Sequence, residues 1–362
     1  MLLVICALLL SQEPDKAETL PGQWKLEPIE TKTFEGELLF RVNLSDGLAK
    51  DWGFFLTKAP EMATQKKVET LFQMPGATLK PAFYKDLSPL QRDVIFQKMV
   101  AREKIQQESA QIKVTYKGEV TARNLVPLPT NETPPKVEPL KDSEKKLALA
   151  EFGDIRFKEK DFKNWMENMG CVRKADERDL DFAFKAFKKI HYKMALDNSE
   201  KQDRKSTAVS IIGKSDGAGI SNLYVAVLRA NNIPARTIWG RWIRTPKELE
   251  KFKGARKDQM GVRCEFFAEN IGWVRADPAT ALYEKANKID PQQFFGMDYI
   301  PFFVQHIDPS FEVINPLTNK RLSMISLQMP AYWFIPRDNN SSPKVSFIHE
   351  WTITKSETKE KE

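Results

Sequence analysis

The sequence predicts an α+β protein in which a β-rich N-terminal domain precedes a helix-rich one. Three observations lead there. Between Trp24 and Asp46 apolar and polar residues alternate with the period of half-buried strands. Between Ser143 and Leu196 the apolar residues recur at helical spacing instead. From Ser215 to Asp277 an apolar helix gives way to a strand, a charged connection and a pair of short strands. At 362 residues the chain has length for two hydrophobic cores.

Taken in order, residues 1–12 read as an export signal, because Met1 to Leu10 (MLLVICALLL) is too short to span a bilayer and matches a signal h-region. No Lys or Arg precedes that run and no small-x-small site follows it; a lipoprotein-type signal at Cys6 is the alternative. The expected destination is periplasmic or extracellular. Residues 20–125 form the β-rich domain. In it Leu38, Phe40 and Val42 alternate with Glu37, Arg41 and Asn43, and Ile112, Val114 and Tyr116 with Lys113, Thr115 and Lys117. Gly118 then marks a turn, and Ser88 to Gln107 reads as a helical insertion opened by Pro89. Residues 126–140 are a proline-rich linker, since proline stiffens the chain and removes backbone donors. The second domain spans 141–337, with Leu180, Phe184, Phe187, His191 and Met194 on one helix face. Residues 338–362 are a polar tail with one strand, Val345 to Thr354.

Composition narrows the function. Hydrophobic residues at 41% and charged ones at 29% suit a globular protein. The excess of 56 basic over 49 acidic residues is spread along the chain, without the concentrated stripe of a nucleic-acid binder. No run is long enough for an integral membrane span. Apart from Cys6, only Cys171 and Cys264 occur, with no CxxC and no His/Cys cluster, so neither a metal site nor a cofactor is expected. Two buried thiols packing as small hydrophobes explain these cysteines better than a disulfide.

Two runs carry the chemical reading: SDGAGISNLYVAVLRANNIPARTIWGRW (Ser215 to Trp242) and GVRCEFFAENIGWVRADPAT (Gly261 to Thr280). Over roughly Arg178 to Gly296 the chain resembles the transglutaminase-like superfamily, relatives of papain-like cysteine enzymes. The resemblance implies a central helix packed on an antiparallel sheet. It also implies a cysteine at the helix start, a histidine opening a His-x-Trp-x-Glu-x-Tyr strand, and an aspartate closing Gly-Trp-x-x-x-Asp-Pro. Aligned on that frame, Gly217 stands in the cysteine slot, Gly261 in the histidine slot and Asp277 in the aspartate slot, while Arg263 replaces the aromatic. A cysteine nucleophile acts as thiolate, from an ordinary pKa of about 8.5, and needs a helix dipole and an imidazolium to get there. Glycine supplies neither sulfur nor imidazole, and Asp277 has no imidazole left to orient.

Replacement groups are hard to find. Cys264 lies on the opposite strand face from Gly261, Arg263 and Glu265. Cys171 has no base in sequence reach, and His191, His306 and His349 sit in no motif. Gly217, Ala218 and Gly219 leave amides uncovered at a helix start, which with Arg263 would offer an anion or carboxylate pocket. Alternatively those glycines permit close helix-to-strand packing. The expectation is a catalytically inactive protein, a binding or scaffold module whose cleft holds a peptide or carboxylate. The alternative is an active peptidase or amidase with residues outside the usual triad. A peptide or protein partner is expected, and no nucleic acid.

Overall fold

Strand-forming residues before and after the helix-rich segment, rather than only before it, build one of the two parts of the fold. The computed structural model describes residues 20, 22–199, 202–251, 258–324, 328–338 and 342–359, so the expected export signal lies outside them. The first part contains β1 (Trp24–Ser45), β2 (Ala49–Thr57), β3 (Gln65–Gln73), β4 (Ala82–Lys85), β5 (Asp93–Val100), α1 (Lys104–Glu108) and β6 (Ser109–Pro127). Next come α2 (Asp142–Ala148), α3 (Lys160–Asn168), α4 (Asp179–Lys193), β7 (Ala195–Leu196), α5 (Ser206–Ile212), β8 (Lys214–Ser215) and α6 (Gly217–Ala230). They lead into β9 (Ala235–Trp242), α7 (Pro246–Glu250), β10 (Met260–Ala268), β11 (Gly272–Ala276), α8 (Pro278–Tyr283) and β12 (Phe302–Ile307). The chain finishes with β13 (Phe311–Asn315), β14 (Lys320–Met324), β15 (Ala331–Pro336) and β16 (Lys344–Lys359).

Two antiparallel sheets, in the orders β16-β1-β6-β3 and β15-β2-β5-β4, face each other across one core. Along β1 the inward side chains Phe34, Leu38, Phe40 and Val42 are buried. Each is worth roughly 1.5–3 kcal/mol in removed apolar surface. Outward, Glu35 pairs with Lys117 (3.1 Å) and Glu37 with Lys113 (2.6 Å), cross-strand contacts that fix register on the solvent face.

Three sequence expectations need correction here. Ser88 to Gln107 is not a helix: it yields β5 and the single-turn α1. Val94, Ile95, Phe96 and Met99 are buried there, a run that suits a strand covered on both faces. Gly118 does not turn the chain, because β6 runs straight through it, paired with Phe34 of β1. The expected boundary at 337/338 cuts across the sheets. β15 pairs with β2 and β16 with β1, where Trp351 and Ile353 enter the sandwich core. The helix-rich part is thus inserted between the strands of a sandwich that both chain ends complete.

In the inserted part, α6 is mostly apolar, and residues Ala218 to Arg229 are all buried, Ser221, Asn222 and Arg229 among them. A helix of that kind must be enclosed. It packs against α4, α5 and α8 on one side and a four-stranded antiparallel sheet, β11-β10-β9-β12, on the other. Asp216 caps its start, and Pro234 follows its end. Strand β12 links the two parts: Phe303 enters the sandwich core 4.8 Å from Phe34, while Phe302 and Val304 pack with Ile238 and Met62.

Candidate functional site

The hairpin of β10 and β11 turns at Asn270, whose φ is 61°, and its register sets Glu265 opposite Arg275 and Cys264 opposite Ala276. Asp277 therefore emerges beside Arg263. Its carboxylate caps α8 by accepting from Thr280 N (2.9 Å), and it lies 3.2 Å from Arg263 Nε. Arg263 continues to Asp298 (2.5 Å), which also holds Arg275 (2.9 Å). Arg275 reaches Glu265 (3.2 Å), and Glu265 pairs with Arg236 (2.7 Å). Three guanidiniums and three carboxylates alternate in this buried chain, which leaves it formally neutral. Burial alone would raise the pKa of Asp298 and Glu265. For Asp298 the guanidiniums of Arg275 and Arg263 outweigh burial, for Glu265 those of Arg236 and Arg275, and both carboxyls are held below their ordinary range.

Gly217 lies at the first turn of α6, where an added Cβ would stand 3.2 Å from the Cβ of Ala279, two residues past Asp277. The structure thus brings positions 217 and 277 to the start of α8. Gly261 lies two residues before Arg263 on β10. A Cβ there would meet Trp242 at 2.3 Å and Phe302 at 3.2 Å, and Phe302 is also 6.0 Å from the Arg263 guanidinium. The space a side chain at 261 needs is filled by aromatic rings. Arg263 itself is buried and committed to Asp277 and Asp298.

At the helix start, Gly219 N donates to Asp216 Oδ1 (3.0 Å), and Asp216 pairs with Arg204 (2.7 Å). The positive end of α6 already faces a carboxylate of its own chain. Ala218 is buried, and a Cβ at Gly219 would lie 2.0 Å from Ser215 Oγ, so the close approach to β8 requires glycine there.

The thiols are placed as small hydrophobes. Cys264 points to α6, with Sγ 3.5 Å from the carbonyl of Ser221, and burial pushes its pKa far above the usual thiol range. Cys171 is pushed up to about 11, again by burial. Both are free and buried. His306 is buried and stacked on Trp239, and burial together with Arg92 drops its pKa to about 3, so the ring is neutral. His191 is half-buried with its pKa lowered by burial, and His349 lies 3.3 Å from Asp258. Among the described residues, no group of three or more His, Cys, Asp or Glu could hold a metal ion.

Sequence reasoning missed Asp298, Arg275 and Arg236. The signal for Arg275 and Arg236 was a charged residue standing inside an otherwise apolar strand, whereas Asp298 lies in the loop before β12 and left none. It missed Tyr299 as well, a half-exposed phenol near Arg263 and Asp277, raised to about 12 by burial against the lowering effect of Arg263. A cavity of about 350 Å³ lies elsewhere, in the sandwich, lined by Phe40, Met324, Tyr332, Trp333 and Phe347. Among the described residues no helix is long and apolar enough to cross a membrane.

Residues 170–278 match the family model described as the transglutaminase-like superfamily. Comparison with curated proteins finds no match. Among solved structures, the chain is similar to a candidate cysteine protease from Cytophaga hutchinsonii (9% identity, TM-score 0.48), covering 92% of this chain and 100% of that one. It is also similar to the periplasmic domain of TgpA from Pseudomonas aeruginosa (12% identity, TM-score 0.36), over 71% and 92% of the two chains. The matched segment, which contains α4, α6 and the hairpin that ends at Asp277, belongs to the transglutaminase-like superfamily.

Proposed function

We propose that the chain is an exported, catalytically silent transglutaminase-like protein that acts as a scaffold. One observation carries this reading: the carboxylate in the aspartate slot is paired with Arg263, not with an imidazole, at a site whose cysteine and histidine slots are both glycine. A guanidinium keeps its proton throughout the physiological range, so it cannot shuttle one. The two described thiols are raised, not lowered, which is the wrong direction for a nucleophile at neutral pH. These facts also weigh against the alternative of an active peptidase or amidase.

Scaffolding is favoured over ligand binding because the groups proposed for a carboxylate pocket already have partners. Asp216 takes the α6 start, and Asp277 and Asp298 take Arg263. A second form of the proposal, a peptide held beside the former site, draws on the half-exposed Tyr299. The test is an assay of the purified protein for amine incorporation into glutamine peptides and for peptide hydrolysis. The expected rate is that of the buffer blank. Turnover lost on Cys264→Ala would reinstate the enzyme. A rise in melting temperature with C-terminal carboxylate peptides, lost on Tyr299→Ala, would favour the peptide-binding form.

A further inference from the structure

The charged face of β10 and β11 does more than fill a former site, because it also reaches the sandwich. Asp298 accepts from the backbone N of Arg123 on β6 (3.1 Å) with one oxygen, while the other takes Arg263 and Arg275. Asp298 N in turn donates to the Asn124 side chain (3.1 Å). Arg275 Nη2 donates to Thr64 Oγ1 (3.2 Å), just before β3. Next to it the Gln65 amide bonds Val304 twice, donating to its carbonyl (2.9 Å) and accepting from its N (2.8 Å). Gln65 is buried, as are Asp298, Arg263, Arg275 and Glu265.

We infer that this face is an acid-sensitive clamp, with Asp298 as its central bolt, which couples the sandwich and the inserted part into one cooperative unit. The inference goes beyond catalytic silence and holds whether or not a ligand binds. One carboxylate bridges three chain segments, so protonating it removes partners from β6, β10 and β11 together. The groups facing it are Arg263 from β10, Arg275 from β11 and the Arg123 amide from β6. Glu265 faces Arg236 from β9 and Arg275, with Arg123 near it, and Asp277 faces Arg263 and the Thr280 amide. Breaking one member leaves buried guanidiniums uncompensated, which is why the coupling is steep.

The experiment is hydrogen exchange read by mass spectrometry on the full chain in increasing denaturant, at pH 7 and near pH 2.5, below the ordinary carboxylate range. At pH 7 the wild type is expected to lose protection of β6, β10–β11 and the sandwich strands β1 and β16 at one denaturant concentration. Asp298→Asn at pH 7, and wild type near pH 2.5, are expected to lose β10–β11 well before β1 and β16. Gln65→Ala, which leaves the ion pairs intact, serves if Asp298→Asn fails to fold; it is expected to separate the two losses more weakly at pH 7 and fully in acid. Separate losses in the wild type at pH 7 would overturn the clamp. So would joint loss in wild type at both pH values, or joint loss in every variant that folds.

Discussion

At the scale of single residues, the site is defined by what its glycines exclude. Gly261→His is expected to destabilise the protein, because a Cβ at that position already lies 2.3 Å from the Trp242 ring. Overpacking of this kind costs about 1–3 kcal/mol, and adding Trp242→Ala should recover part of it in a urea titration. Arg263→Met is expected to cost more, about 3–5 kcal/mol, because it leaves Asp277 and Asp298 buried without that partner. Gly219→Ala should also lower the melting temperature, because Ser215 Cβ stands 2.7 Å from the new methyl carbon and rotating the hydroxyl cannot relieve that. If all three substitutions left the urea midpoint unchanged, the packing described around the former triad would be wrong.

Helices and strands show where the sequence was legible and where it was not. The α6 to β9 phrase and the β10–β11 hairpin could be read because their signals are local. Apolar periodicity, Asp216 as a cap, Pro234 as a stop and Asn270 to Gly272 as a turn all lie within a few residues of what they determine. Asp216→Ala should accordingly cost about 1 kcal/mol through the lost cap to Gly219 N. Strand β5 was misread because helix-favouring residues such as Gln91, Lys98 and Glu103 flank an apolar run too short to show its period. The partners of β15 and β16 could not be read at all, since a strand does not record which distant strand it joins. Nor did any local pattern tie Asp298 to Arg263 and Arg275, because those contacts follow from how β9, β10 and β11 come together with β6.

For the whole molecule, the shifted carboxyls give a definite acid response. Asp298 and Glu265 have pKa values below the ordinary ~3.9 and ~4.3, so their contribution is fully present above those values. It is lost as pH falls through the lower folded values, so the melting temperature should hold from pH 7 to about 5 and then drop. A Tm that rose below pH 4 would contradict the sign. Removing residues 344–359 should unfold the sandwich outright, because β16 pairs with β1 from Thr31 to Ser45 and covers Leu38 and Gly36 with Trp351 and Ile353. That pairing also bears on how the protein is made. Strand β1 can pair with β6 early, but its other edge stays open until β16 has been synthesised, so the inserted part can fold while the sandwich still waits for its outer strand.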